Sequence, residues 1–215
     1  MQLLPDPARR FIRRVMRLPK VRRQLPTTGA PFRVHVGAGP VRLAGWLNTD
    51  IDRSAEYFLD ATRPWPLPDG SISHVYADNF VEHLTLVELR EFLTCARRAL
   101  ASGGRVRLAT PDVGAIARLY VDGGPAADSM VSYLRERGYV MAHQVDILRV
   151  TFSESGHERG YLHDEVSLAH ELVAAGFSHV RRYPASQSDD PVLRGLETRT
   201  DAIAIPVQMS LEAVR

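Results

Sequence analysis

A run of alternating character, Phe32-Arg33-Val34-His35-Val36, leads straight into Gly37-Ala38-Gly39-Pro40. Glycine at such a junction lets the backbone turn sharply and lets a ligand come close, because no Cβ stands in the way. The full dinucleotide fingerprint places a further glycine three residues after the second, and Arg42 stands at that position. A nicotinamide or flavin enzyme therefore loses ground, while a strand followed by a ligand-binding turn remains.

From Phe32 onward short apolar strands alternate with turns and helices, the signature of an α/β fold whose parallel sheet has helices on both faces. Strands are expected near Phe32–Val36, Trp46–Asp50, Glu56–Leu59, His74–Ala77 and Arg105–Ala109, with helices over Leu86–Leu100 and Val113–Tyr120. Residues 121–163 lose this regularity and hold Gly123-Gly124-Pro125, a short helical stretch and several histidines. A late insertion of this kind caps the site at the carboxyl ends of the strands. Order resumes with a helix over Glu165–Ala175 ended by Gly176, a strand over Ser178–Tyr183, and a last strand within Ala202–Val214.

A length of 215 residues suits one well-buried core, and 45% apolar with 24% charged residues argues against disorder. Cys95, the single cysteine, excludes an intramolecular disulfide, reads as a small core residue and fits a reducing compartment. With no apolar run of membrane-spanning length and no apolar stretch of a secretory signal, a soluble cytoplasmic protein is expected. Residues 1–25 carry eight basic side chains against Asp6, an excess of +7 within a total of +2, which leaves −5 for the rest. Ala8, Phe11, Ile12, Val15 and Met16 form an apolar stripe opposite five arginines, so Ala8–Leu18 reads as a basic amphipathic helix and Gln24–Pro31 as a linker. Residues 1–31 are thus an appendage to a main domain over 32–215. The stripe either packs on that domain or makes a peripheral contact with an anionic membrane, a nucleic acid or a protein partner. The acidic balance of the body opposes a broad phosphate-binding face, and oligomeric state is not legible.

Asp50, at the end of the second strand, is placed to accept hydrogen bonds from both ribose hydroxyls of a nucleoside, with Asp52 in reserve. The bland alternative for either is a turn or helix-cap aspartate. Only 13 residues separate Gly37 from Asp50, against the ~20 of a full crossover helix, so one helical turn around Val41–Ala44 is expected. Asp60, at the end of the third strand, can accept from an exocyclic adenine amine while the Ala61 amide donates to the ring. Pro66-Leu67-Pro68-Asp69-Gly70 then extends and turns into the fourth strand.

In ordered succession come Val34-His35-Val36-Gly37-Ala38-Gly39-Pro40, Gly45-Trp46-Leu47-Asn48-Thr49-Asp50-Ile51, Leu67-Pro68-Asp69-Gly70-Ser71, Val81-Glu82-His83-Leu84, Ser102-Gly103-Gly104-Arg105, Thr110-Pro111-Asp112 and Ala174-Ala175-Gly176-Phe177. This set resembles the class I S-adenosylmethionine-dependent methyltransferases, in a bacterial branch whose glycine turn has the form H-x-G-x-G-P. The resemblance spans roughly Phe32 to Phe177. It implies a Rossmann-like, doubly wound, seven-stranded sheet, mostly parallel, whose last strand is inserted antiparallel between two others. It also implies S-adenosyl-L-methionine as cofactor. Gly37, Ala38 and Gly39 would cradle its methionine part; Asp50, with Ile51 beside it, the ribose; and Asp60 with Ala61 the adenine. Asp78 and Asn79 would face the sulfonium.

Methyl transfer is an in-line displacement at an activated carbon, so a protein mainly aligns the partners and excludes water. A base is needed where the acceptor is a hydroxyl, and histidine is the natural candidate. The run Gly156-His157-Glu158-Arg159-Gly160-Tyr161 resembles a patch of the same branch, which implies a substrate-side role for His157. His143 and Tyr161 are the other catalytic candidates and His163 lies close by, though any one of these histidines also reads as a structurally bonded side chain. His83 is expected to cap the following helix. No histidine pair has the i, i+4 spacing of a helical zinc motif, so no metal site is expected. The leading function is methyl transfer to a small-molecule hydroxyl of a natural product or sugar. The alternatives are a fold relative with non-methylating chemistry and a methyltransferase acting on nucleic acid or at a membrane surface.

Overall fold

The computed structural model describes residues 25–26, 28–29, 31–154, 156–197 and 201–215. The basic stripe Ala8–Leu18 lies outside the described residues, as does part of the linker. Seven strands form one sheet: β1 (Phe32–Val36), β2 (Leu47–Asp50), β3 (Tyr57–Phe58), β4 (Ile72–Asp78), β5 (Leu100–Pro111), β6 (Ser178–Tyr183) and β7 (Gln208–Val214). Their order is β3-β2-β1-β4-β5-β7-β6, with β3 to β5 parallel and β7 running antiparallel between β5 and β6. Helices α1 (Leu86–Ala99), α2 (Val113–Asp122), α3 (Gly124–Glu136), α4 (Asp146–Ser153) and α5 (Glu165–Ala174) surround it. The fold is Rossmann-like, with the antiparallel insertion that the family resemblance implied. Among the described residues no helix is long and apolar enough to cross a membrane.

The core follows from the strand pattern. Val34, Val36, Ile72, Val75, Val106 and Leu108 are buried on the central strands and meet Leu89, Phe92, Leu93 and Ala96 along one face of α1. Thr85, not His83, caps α1: its hydroxyl accepts from the Glu88 amide while the Glu88 carboxylate accepts from the Thr85 amide. His83 lies instead in a 3-10 turn over Val81–His83.

Three expectations need correction. Residues 41–44 form no helix; the Asn48 side chain accepts from the Leu43 amide and donates to the Leu43 and Trp46 carbonyls, satisfying groups that a helical turn would have paired. The stretch 121–163 is more ordered than its composition indicated. Pro125 sits in the first turn of α3, where its missing N–H costs nothing, so Gly123-Gly124-Pro125 is a junction between two helices rather than a loop. These helices close a second small core around Ile116, Ala127, Met130, Met141, Ile147 and Val150. Strand β5 is also longer than expected, because Gly103, at φ 73°, bends the chain without ending its pairing.

The antiparallel insertion carries a buried ionic pairing. Arg107 on β5 stands opposite Glu212 on β7 and is fully buried. It donates to Glu212 at 2.5 Å, to Glu197 at 2.6 Å and to the Gln187 carbonyl at 3.0 Å. Ser186, Ser188 and Ser210 donate to the same carboxylates and so anchor residues 184–197 over the sheet. Removing the shared cation would strand both buried carboxylates. Arg107→Met is therefore expected to lower stability in urea unfolding by about 3–5 kcal/mol; a loss below about 1 kcal/mol would show that water or protonation relieves Glu197 and Glu212.

Candidate cofactor and acceptor site

The carboxyl ends of β1, β2, β3 and β4 converge on the glycine turn. Gly37 and Gly39 have φ of 68° and 50°, the left-handed region that glycine tolerates. A Cβ on Gly37 would lie 2.7 Å from the Phe80 ring, so the missing side chain also admits that ring. Above Gly39 a Cβ would meet nothing within 4 Å, so the turn faces open space there. Asp50 Oδ2 accepts from the Gly39 amide at 2.9 Å and Oδ1 from the Asp52 amide at 2.7 Å, which locks the acid at the end of β2 against the turn at the end of β1. Arg42, standing where a dinucleotide turn has glycine, donates to the Gly39 and Ser54 carbonyls and ties the two loops together.

The other cofactor candidates lie along the same edge. Ile51 is 55% exposed beside Asp50. Asp60 Oδ1 accepts from the Thr62 amide and hydroxyl, and the Ala61 carbonyl accepts from Trp65 Nε1, fixing the turn after β3. Asp78 ends β4 half-buried, and exposed Asn79 takes a left-handed φ of 49° while its amide donates to the Ala109 carbonyl. His35 points into the structure instead: its ring stacks 5.1 Å from Tyr76, its Nδ1 lies 3.2 Å from Asn48 Oδ1, and burial pushes its pKa down. The glycine turn is open at Gly39, and a carboxylate such as Asp50 has about four acceptor positions, enough to serve two backbone amides and a ligand's hydroxyls together, an arrangement that fits S-adenosylmethionine.

A second polar cluster is built where residues 156–161 close on the 3-10 turn after β4. Tyr161 donates its amide to the Leu84 carbonyl at 2.7 Å, and a Cβ on Gly160 would lie 1.7 Å from the Glu82 carbonyl oxygen, so only glycine lets these segments touch. The contact brings His157 beside His83, with ring centroids 5.0 Å apart. His157 Nδ1 lies 2.7 Å from the Thr151 carbonyl and His83 Nδ1 3.2 Å from the Gly156 carbonyl. Burial, with the His83 ring nearby, lowers the His157 pKa. Glu82, 1% exposed, accepts at 2.9 Å from the Thr110 hydroxyl.

Of the expected catalytic residues, only His157 joins this cluster. His143 is exposed before α4, with its amide donating to Asp146. Tyr161 is 43% exposed and its ring lies 4.7 Å from that of buried His163. Glu82 and His83 are the members that sequence reasoning did not place. They stand 74 residues from His157, measured from His83, so a search for adjacent spacings could not join them. The one available signal was Gly160 inside the motif that carries His157.

A parallel sheet with an antiparallel penultimate-edge strand, a glycine turn after β1 and an acid after β2 define a Rossmann-like fold. Solved structures share it. The chain superposes on a SAM dependent methyltransferase from Archaeoglobus fulgidus with TM-score 0.51 and 14% identity, covering 98% of this chain and 94% of that one. An S-adenosylmethionine dependent methyltransferase from Mesorhizobium loti gives 0.52 and 15%, covering 89% and 94%. Against the CurJ carbon methyltransferase the chain spans half of the longer protein, 50%, at TM-score 0.49 and 16% identity. No family model and no curated protein matches the sequence. At these identities the likeness shows the fold.

His163 makes the structure sensitive to acid. Its ring is 1% exposed, and burial drives its pKa from 6.5 to about 4 against the opposing charges of Glu171 and Asp164. The folded state holds it neutral while the unfolded chain takes up the proton below its ordinary value. Its contribution to stability is thus present above pH 6.5 and lost as pH falls towards about 4. The whole loss is on the order of 3 kcal/mol. Unfolding free energies of His163→Gln are expected to fall less steeply than those of the parent chain across that window, and parallel curves would exclude His163 as the source.

Proposed function

We propose that the chain is an S-adenosylmethionine-dependent methyltransferase acting on a hydroxyl of a small molecule such as a natural product or sugar. The observation that carries this reading is the Asp50 carboxylate held on the Gly39 amide, which sets a ribose-binding acid beside an open glycine turn. Gly37, Ala38 and Gly39 hold the methionine part, Asp50 and Ile51 the ribose, Asp60 and Ala61 the adenine, and Asp78 and Asn79 flank the sulfonium. The bound cofactor would supply an activated methyl carbon to the acceptor oxygen, the electron pair of the carbon–sulfur bond would stay on sulfur, and the hydroxyl proton would pass to solvent.

The chain's own residues orient the two partners and exclude water. The main domain covers 32–215, and helices α3 and α4 within 121–163 cover the acceptor. His157, held by the Thr151 carbonyl next to the turn that follows Phe80, is the acceptor-side residue. A polar cluster there supports a hydroxyl acceptor, because a hydroxyl must lose a proton where a carbon or sulfur nucleophile already ionised need not.

Asp50→Ala is expected to weaken S-adenosylmethionine binding in calorimetry about 10- to 100-fold, the value of losing hydrogen bonds to a charged group. Unchanged affinity would move the ribose to Asp52. His157→Ala is expected to slow release of S-adenosylhomocysteine with a panel of hydroxyl acceptors by at least about tenfold at unaltered cofactor affinity. Equal turnover would remove His157 from the reaction.

A further inference from the structure

Glu82, His83 and His157 offer one ligand atom each, and these atoms all lie within 4.8 Å of one another. Adjacent ligands around a tetrahedral ion with bonds of ~2.1 Å stand roughly 3.4 Å apart, so side-chain shifts of at most about 1.4 Å close the set. The hydrogen bonds outside the cluster favour ligation. A backbone carbonyl only accepts, so Thr151 and Gly156 require the proton of each imidazole on Nδ1. Each neutral ring then carries its lone pair on Nε2, the state a metal ligand needs. A carbonyl or carboxylate behind the ring is the usual support that orients a ligating histidine. Glu82 has equivalent support from the Thr110 hydroxyl.

The cluster is assembled by backbone contact. The absent side chain of Gly160 lets residues 156–161 lie on the Glu82 carbonyl, and the Tyr161 amide bonds the Leu84 carbonyl on the far side. Both histidines are thereby held from opposite segments.

We propose that Glu82, His83 and His157 form a mononuclear site for a divalent transition-metal ion of the zinc type. Two imidazoles and one carboxylate are a ligand set suited to zinc, and three protein ligands leave a further position for water or a substrate oxygen. The site lies next to the cofactor turn, since Phe80, two residues before Glu82, has its ring on Gly37. On the methyltransferase reading, the ion takes the acceptor hydroxyl as its additional ligand and lowers the pKa of that hydroxyl, and the proton passes to solvent. His157 then acts on the acceptor through the ion.

The test titrates zinc chloride into the tag-free full chain, stripped with chelator, and follows heat and stoichiometry. One ion per chain at micromolar affinity or tighter is expected. His83→Ala, His157→Gln and Glu82→Gln should each weaken binding about 10- to 100-fold or more, while His170→Ala, an exposed histidine on α5, should not. His83 is exposed, so its variant tests the site even where the buried substitutions unfold the chain. Cobalt in place of zinc should develop visible absorption bands that His83→Ala alters. Zinc binding at parent affinity in all three variants, or no binding by the parent chain, overturns the proposal. Titration of S-adenosylmethionine into the same preparations separates the two readings: zinc without cofactor binding keeps the metal site and removes the methyltransferase, and cofactor without zinc does the reverse.

Discussion

The approach of the Phe80 ring to Gly37 ties the two halves of the site together. Because residue 37 has no side chain, the ring sits on the glycine turn, and its other side meets Phe92 of α1 at 5.5 Å, edge to face. The turn is therefore held by β1, by Asp50 on the Gly39 amide and by a ring packed on the main core at Gly37, while its Gly39 end stays open. Phe80 leads directly into the 3-10 turn that carries Glu82 and His83, so the glycine turn and this polar cluster are joined through one ring. The left-handed backbone at Asn79 is what redirects the chain from β4 into that support.

The sheet fixes the geometry around this point. Parallel strands β1 to β4 deliver Gly37, Asp50, Asp60 and Asp78 to the same edge, because every one of them is reached at a carboxyl end. The antiparallel β7 breaks the parallel run on the far side, and its register sets Glu212 opposite Arg107. With Glu197 the pair makes a buried ionic network that holds the chain from 184 to 197 on the sheet. Such a network contributes less to net stability than to uniqueness of pairing, since a shifted register would leave a buried guanidinium without its carboxylates.

Opposite this stable half lies a smaller core formed by α2, α3 and α4, which has its own apolar cluster and meets the main body through hydrogen bonds such as that from the Val113 amide to the His163 carbonyl. Residues 156–161 run from it back to the turn after β4. The cluster of Glu82, His83 and His157 thus lies where the segment leaving this helical layer meets the turn after β4.

What the sequence by itself determined was the set of local instructions. A glycine turn after an alternating strand, acids at the ends of the second and third strands and the apolar stripe of α1 each act within a few residues, and their spacing along the chain reads them; the cap of α1 was not read, since Thr85 with Glu88 and not His83 fills it. The helices of 121–163 escaped that reading because Gly123-Gly124-Pro125 carries breaker residues that here serve as a helix boundary. The tertiary structure alone decided the rest: Asn48 taking the place of a first helical turn, Arg107 meeting Glu197 and Glu212, and Glu82, His83 and His157 meeting across more than 70 residues. Contacts of that kind depend on which backbones can approach, and the glycines at 37 and 160 show the reason. Each matters for the side chain it lacks, a property that becomes a contact only when a distant segment arrives to fill the space.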